Sequence, residues 1–327
     1  MKVNAKNNIN DIARAAGVSI STVSRVFNRR PYVKDNVRQK VMEAANSLEY
    51  NPKVTARRDT IAIVAAELKY IQSGSYDSAI ISAIVGNALA NGLKTEIVSL
   101  HDIDLVFENF VQAVIGITYD KESVEKLRVI KNAPVLMINN VVPDFPYVCT
   151  DHKGGLKTAT QYLIEHGHSR IGLYLASAPG PTWGTNQRLD GYKEALENAG
   201  IPFLKELIGI SLPKVFEEMA RICLVHNPTA FIICGEGLAM PAWYTLQLLK
   251  KRVPEDISLI LFDSPGITPY LLPRPTILKQ DFDLLGKVAV EKIKQILAGT
   301  HTGRVEVILP TEFIEGETVR QLKKQPK

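Results

Sequence analysis

The sequence predicts an α/β protein: an N-terminal three-helix head with a helix-turn-helix, then a two-lobed body of doubly wound parallel sheets. Three observations predict it. The first 50 residues carry helical periodicity and no strand pattern. From Ile61 onward, short and nearly continuous Ile/Val/Leu runs alternate with helical stretches, as parallel strands covered on both faces require. That alternation lasts about 240 residues, long for one such sheet, so two lobes are expected.

In the head, Ile9, Ile12, Ala13 and Ala16 fall at i, i+3, i+4 and i+7 and make one apolar face. Gly17 suits the left-handed residue that ends such a helix, and Ser19 is a natural N-cap for the next. The second helix buries Val23, Val26 and Phe27, leaving Ile20, Ser21, Ser24, Arg25 and Asn28 largely outside. A third helix is expected from Asp35 to Leu48, with Val37, Val41, Ala44, Ala45 and Leu48 inward. A helix, a glycine turn and a short helix with small polar residues and one Arg on its open face fit the DNA major groove. Arg25 is placed to donate twice to guanine, while Ser21 and Asn10 are candidates for bases or phosphates. Arg29, Arg30, Lys34, Arg38 and Lys40 are placed to neutralise phosphates. A small helical subdomain with a solvated basic face fits the same pattern.

The segment "LEYNPKVTARRDT" (48–60) has one Pro, three basic residues and no apolar period, so it reads as a linker. The body strands are expected at "TIAIVAA" (60–66), "TEIVSL" (95–100), "AVIGIT" (113–118), "PVLMIN" (134–139), "RIGLYLA" (170–176), "TAFIIC" (229–234) and "SLILFD" (258–263). Helical spacing marks "SAIISAIVGNALANG" (78–92), "GLKTATQYLIEHG" (155–167) and "LAMPAWYTLQLLKK" (238–251), where Met240 and Trp243 read as packing residues.

Charge is unevenly spread. The formal net charge is +5, but residues 1–60 hold 12 Lys/Arg against 5 Asp/Glu, a balance of +7 that leaves −2 for the remainder. Only the head is suited to a polyanion. No apolar run is long enough to span a membrane, and the polar start "MKVNAKNNIN" is no secretory signal, so no membrane contact and a cytoplasmic location are expected. Cys149, Cys223 and Cys234 form no CxxC pair and read as reduced, buried thiols. The His-x-His of "EHGHSR" (165–170) flanks a helix-ending Gly, without the i, i+4 spacing of metal ligands on a helix, and reads as structural. With no GxSxG, Walker loop or GxGxxG after a strand, neither catalysis nor a cofactor or metal is expected.

The stretch "INDIARAAGVSISTVSRVFN" closely resembles the DNA-binding signature of the LacI/GalR family of bacterial transcription regulators, and "VRQKVMEAANSLEYNP" is similar to that family's third helix. Body segments also resemble the family's ligand-binding core: "TDHKGGLKTATQYLIEHGHSRIGLYLA", "NQRLDGYKEALENAGI", "KKRVPEDISLILFD" and "LPRPTILKQDFDLLGKVAVEKI". The resemblance implies a periplasmic-binding-protein-like body whose chain crosses between lobes near Gly167, near Lys279 and again near the C-terminus. The division expected is head 1–50, hinge or linker 51–60 and effector-binding, dimerising body 61–327. Its first lobe is about 61–166 and 281–300, its second about 167–280 and 301–327.

The linker departs from the family. The resemblance implies a hinge helix whose Leu wedges into the minor groove, yet Asp59 stands about where that Leu would be. Only seven residues, 53–59, follow Pro52 before the first strand. The expectation is that Lys53, Arg57 and Arg58 clamp the minor groove or phosphates without a deep wedge; a disordered basic tether is the alternative. The expected DNA-contacting set is therefore Asn10, Ser19, Ile20, Ser21, Thr22, Ser24, Arg25, Asn28, Arg29 and Tyr32, with Lys53, Arg57 and Arg58.

By the same resemblance, Arg188, Asp263 and Asp151 occupy positions of family ligand contacts, Gln280 lies at the hinge beside them, and ligand sits between the lobes at strand C-terminal ends. Carboxylates and guanidinium groups bridge neighbouring hydroxyls, which suits a sugar or polyol. The family's Asn-Asp is here Gly235-Glu236; Glu236 still offers acceptors. Trp183 is a candidate to stack on a sugar face, and Tyr76 to close the first lobe's side. Each has a plainer reading as a cap, loop anchor, exposed loop residue or packing residue. The reading expected is a sequence-specific DNA-binding regulator, a repressor of a sugar-utilisation operon, working as a homodimer on a near-palindromic operator and controlled by a small effector. Control by a partner protein or phosphorylated corepressor, a sugar-binding protein without regulatory role, and an enzyme on a similar fold are the alternatives.

Overall fold

The computed structural model describes residues 7–28, 32–50, 59–65, 75–109, 111–176, 182–210, 214–235, 237–262 and 266–322. The head holds α1 (Ile9–Ala16), α2 (Ile20–Phe27) and α3 (Asp35–Ser47). Asn8 and Asp11 form a capping box at the start of α1. Gly17 ends it at φ 65°, ψ 35°, the left-handed conformation that a Cβ disfavours. The Ser19 hydroxyl accepts from the Thr22 amide and starts α2. Ile12, Val23, Val26, Phe27, Val41 and Ala45 close the small core, and Tyr50 stacks on Phe27. Val37 and Leu48, expected inward, are only half-buried; Met42 is buried on α3 instead.

The body strands are β1 (Thr60–Ala65), β2 (Lys94–Ser99), β3 (Ala113–Ile117), β4 (Val135–Ile138), β5 (Tyr147–Thr150), β6 (Ile171–Leu175), β7 (Ile208–Ile210), β8 (Ala230–Cys234), β9 (Ser258–Phe262), β10 (Thr276–Lys279), β11 (Glu306–Leu309) and β12 (Glu312–Ile314). They build two six-stranded sheets, ordered β11-β5-β4-β3-β1-β2 and β12-β10-β9-β8-β6-β7. β1 pairs in parallel with both β2 and β3, and β6 with both β7 and β8. Each sheet thus reverses its winding beside its first strand, the switch point at whose C-terminal edge such sheets bind ligands.

The helices are α4 (Tyr76–Ala90), α5 (Asp104–Asn109), α6 (Lys121–Arg128), α7 (His152–Glu165), α8 (Trp183–Asn198), α9 (Val215–Arg221), α10 (Ala239–Leu248) and α11 (Phe282–Ala298). Alternation along the strands feeds both faces of the second sheet. Tyr174, Phe231, Ile233, Leu259 and Leu261 enter one core, while Leu173, Leu175, Ile232, Cys234 and Ile260 enter the other. Burial on both sides explains why these strands read as unbroken apolar runs. All three cysteines are buried thiols outside any disulfide. Among the described residues no helix is long and apolar enough to cross a membrane.

The chain forms two compact units, the first from Met1–Tyr70, Ile84–Val148 and Gly286–Glu306, the second from Ile71–Ala83, Cys149–Leu285 and Val307–Lys327. The passage into the second unit falls within β5 rather than near Gly167. The reason is α7, whose Leu156, Ala159 and Leu163 share a core with β6 and β8. The return falls at Leu285 rather than near Lys279.

His166 and His168 each have partners within the second unit. His166 Nδ1 lies 2.8 Å from the Tyr162 carbonyl. His168 is buried, its Nδ1 2.9 Å from Thr229 Oγ1 and its Nε2 3.2 Å from the Arg320 carbonyl. Burial, aided by the Arg320 and His166 charges, lowers the His168 pKa to about 4. A histidine depressed in the folded state contributes stability that is complete above its unfolded pKa of about 6.5 and fades as pH falls toward 4. Replacing His168 with Gln removes this slope. Between pH 7.5 and 5 the parent is expected to lose about 2 kcal/mol more than His168→Gln in urea titrations, at about 1.4 kcal/mol per pKa unit. Equal losses refute the assignment.

Candidate functional site

On the head, the outward face of α2 is set by the burial of Val23, Val26 and Phe27. Ser19, Ile20, Ser21, Arg25 and Asn28 are exposed, with Thr22 and Ser24 half-buried at the margin. The Ser19 hydroxyl lies 2.9 Å from those of both Ser21 and Thr22, which fixes the leading edge of the helix. Asn28 folds back, donating to the Ser24 carbonyl at 2.8 Å. Asn10 stands exposed on the first turn of α1, and Tyr32 is fully exposed at φ 79°. Lys34, on the N-cap of α3, and Lys40 are exposed and Arg38 half-buried. Arg29, Arg30, Lys53, Arg57 and Arg58 lie outside the described residues. Asp59 opens the first sheet, its carbonyl accepting from the Lys94 amide at 2.5 Å.

The second unit gathers its chemistry where strands end. Gly191 brings α8 onto α7: a Cβ there would lie 2.1 Å from the Lys153 carbonyl oxygen. Glu194, one turn on, receives Lys153 and Lys157 at 2.7 and 2.6 Å and clamps the same pair of helices. Those two hydrogen bonds hold the Glu194 carboxyl at about 2. Tyr192 is buried beside them and donates to the Ile171 carbonyl. This crossing sets Arg188, on α8, against the first residues of α7. The Arg188 guanidinium lies 4.4 Å from the centre of the Phe262 ring, and its Nη2 is 3.5 Å from His152 Nδ1. The His152 ring packs 5.6 Å from both Trp183 and Phe262. Burial and the Arg188 charge hold His152 well below the usual histidine range, so it stays neutral. Burial likewise pushes the Cys234 thiol, at the end of β8, up to about 12.

The sequence-derived candidates thus divide. Arg188 and Trp183 meet in one cluster through His152 and Phe262. Asp151 is the N-cap of α7, accepting from the Gly154 amide at 2.7 Å. Gln280 is buried at the end of β10, and Tyr76 packs edge-on against Phe282. Glu236 and Asp263 lie outside the described residues. Sequence reasoning missed His152 and Phe262, the first hidden between a cap and a glycine pair, the second read only as strand. In the first unit it missed a buried polar group at the ends of β3 and β4. There Asn140 donates to the Thr118 carbonyl, Thr118 Oγ1 is buried without a hydrogen-bond partner among the described residues, and Asn139 sits at φ 48°. Polar residues directly after a strand's apolar run were the available signal.

A groove-sized helix on a glycine turn, followed in the chain by two doubly wound sheets, is the build of a DNA-binding regulator. Comparison with known proteins agrees. Residues 8–53 match the model of bacterial regulatory proteins of the lacI family, and residues 160–319 match a periplasmic binding protein-like domain. The regulator GalR of Escherichia coli (strain K12) is 30% identical over 304 residues, covering 86% of this chain and 87% of its own. The regulator DegA of Bacillus subtilis (strain 168) is 29% identical, covering 94% and 97%. Among solved structures, a CelR–cellobiose complex aligns with TM-score 0.72 at 23% identity, over 95% of this chain and 99% of that one. The lac repressor dimer bound to operator and the anti-inducer ONPF aligns at 0.70 and 22%, over 97% and 100%. The chain belongs to the LacI family, and it is a DNA-binding transcriptional regulator, not an enzyme.

The α7–α8 crossing makes a direct prediction. Gly191→Ala forces backbone apart, because the atom met is a carbonyl and not a flexible side chain. Stability is expected to fall by about 1–3 kcal/mol in chemical denaturation. An unchanged midpoint would show that the helices are free to separate at that point.

Proposed function

We propose that this chain is a cytoplasmic, homodimeric repressor that reads a near-palindromic operator and answers to a small sugar. The observation that carries the reading is the α2 face: Ile20, Ser21, Arg25 and Asn28 outward, on a helix whose other side is locked into a core. Short side chains let the helix backbone approach base edges, and Arg25 supplies the bidentate donor for guanine. Ser19, Thr22, Ser24 and Asn10 flank it as phosphate or base contacts, and Arg29 and Tyr32 extend the contact beyond α2. Lys53, Arg57 and Arg58 of the linker add minor-groove or phosphate contacts. Asp59, tied into the first sheet, supplies no wedge, so the operator is held without a sharp central kink.

The sensor reading rests on the second unit. A guanidinium fixed over an aromatic ring, with a neutral imidazole and an indole beside it, presents donors and flat apolar surface together, as pyranose recognition requires. Asp151, Glu236, Asp263, Gln280 and, from α4, Tyr76 complete the proposed set. The structural neighbour CelR was solved with cellobiose, which favours a sugar. Dimerisation is supported by an exposed apolar group on α9, α10 and the π-helical turn Ile222–His226. Phe216 and Tyr244 meet edge-on there, and Leu224, Val225, Met240 and Leu248 are also exposed. Met240, expected to pack inward, is outward; Trp243 is the buried member.

DNA fragments selected from a random pool by the full-length protein test the first half. A near-palindrome bound by two chains is expected. Arg25→Ala should lose about 1–3 kcal/mol of discrimination against a single changed base pair. An unaltered base preference in Arg25→Ala refutes the reading. For the second half, a panel of mono- and disaccharides is screened by thermal shift. At a hundred times its dissociation constant, the effector should stabilise by about 2.7 kcal/mol and change affinity for the selected DNA. If no sugar does either, the effector is of another class.

A further inference from the structure

Beyond its own core, α3 makes contacts that head folding does not require. Asn46, in its last turn, donates from Nδ2 to the Val129 carbonyl at 2.8 Å, and its Oδ1 accepts from the Lys131 amide at 2.8 Å. Val129 caps the C-terminus of α6, so both bonds reach the loop that leads into β4. α3 also contacts α5 of the same unit. A planar amide paired with a backbone N–H and C=O two residues apart fixes direction as well as distance, as a neighbouring strand would. The face of α3 that enters the head core, through Val41, Ala44 and Ala45, stays committed to α1 and α2. The reading face of α2 remains exposed in this docked arrangement.

We propose that Asn46 is a positioning residue: its amide latches the DNA-reading head onto the α6–β4 loop, a second link between body and head beside the 51–58 linker. Held this way, the head meets DNA already oriented, and less rotational freedom is lost on binding. A shift of the α6–β4 loop then reaches the recognition helix through α3. The latch rests on the regulator reading above only for its effect on DNA.

The test uses the full-length protein, Asn46→Ala, Asn46→Asp and the neighbouring control Ser47→Ala. Among the described residues the Ser47 hydroxyl bonds within its own helix, donating to the Ala44 carbonyl, so fraying of α3 would show in that control. Three readouts are taken: hydrogen exchange at the Lys131 amide, affinity for DNA selected by the parent, and melting temperature. In Asn46→Ala, Lys131 exchange is expected to rise about tenfold and DNA affinity to fall about fivefold or more, the scale of one or two neutral hydrogen bonds. Melting should be unchanged. Asn46→Asp keeps an acceptor for Lys131 but opposes the Val129 carbonyl, so Lys131 stays protected and affinity falls by less. Unchanged exchange in Asn46→Ala overturns the latch. Faster exchange with unchanged DNA affinity overturns its positioning role, as does an equal effect from Ser47→Ala. If the parent selects no DNA at all, the regulator reading fails, and Lys131 exchange alone decides the latch.

Discussion

The meeting of α7 and α8 at Gly191 is the constraint on which the Arg188–His152–Phe262 cluster, the proposed sensor site, depends. Two helices come so close there that a single methyl would enter a peptide carbonyl. Because of that approach, an arginine on one helix and a histidine on the other share one aromatic neighbour. Burial neutralises the imidazole and leaves the guanidinium as the charged member of the group. The arrangement is held by an ion-paired glutamate on one side and a buried phenol on the other. Position, more than residue identity, gives these groups their character.

Much of this was legible in the sequence, and what was not has physical causes. The head could be read residue by residue. Gly17 in the left-handed region and Ser19 as a hydroxyl cap are local requirements that few residues satisfy, so their signal survives without tertiary information. Most of the long parallel strands could be read because burial on both faces leaves few polar positions in them; β2, a half-exposed edge strand, is the exception. β5, β7, β10, β11 and β12 were missed: they have three or four residues, and β7, β11 and β12 are edge strands without a continuously buried run. Arg188 was reached through the family resemblance and Trp183 by residue type. His152 and Phe262 were not reached, because one followed a helix cap and the other ended a strand; only the crossing of α7 with α8 makes them part of a group. Asn46 carried no signal at all, since its partners are backbone atoms more than eighty residues away.

The head and body also divide the electrostatic labour. The positive excess is confined to the first 60 residues, while the remainder is slightly negative. Attraction to a polyanion therefore acts on the head alone and does not draw the body down onto the duplex.

Each unit is stitched from separated lengths of chain, and the first sheet takes its edge strand from residues 306–309. The head's core, in contrast, closes within the first 50 residues. During synthesis the polypeptide thus owns a complete DNA-gripping module long before either sheet has all its strands. A message cut short anywhere in between would yield a product that holds the tool for reading bases without the two sheets that make up the body.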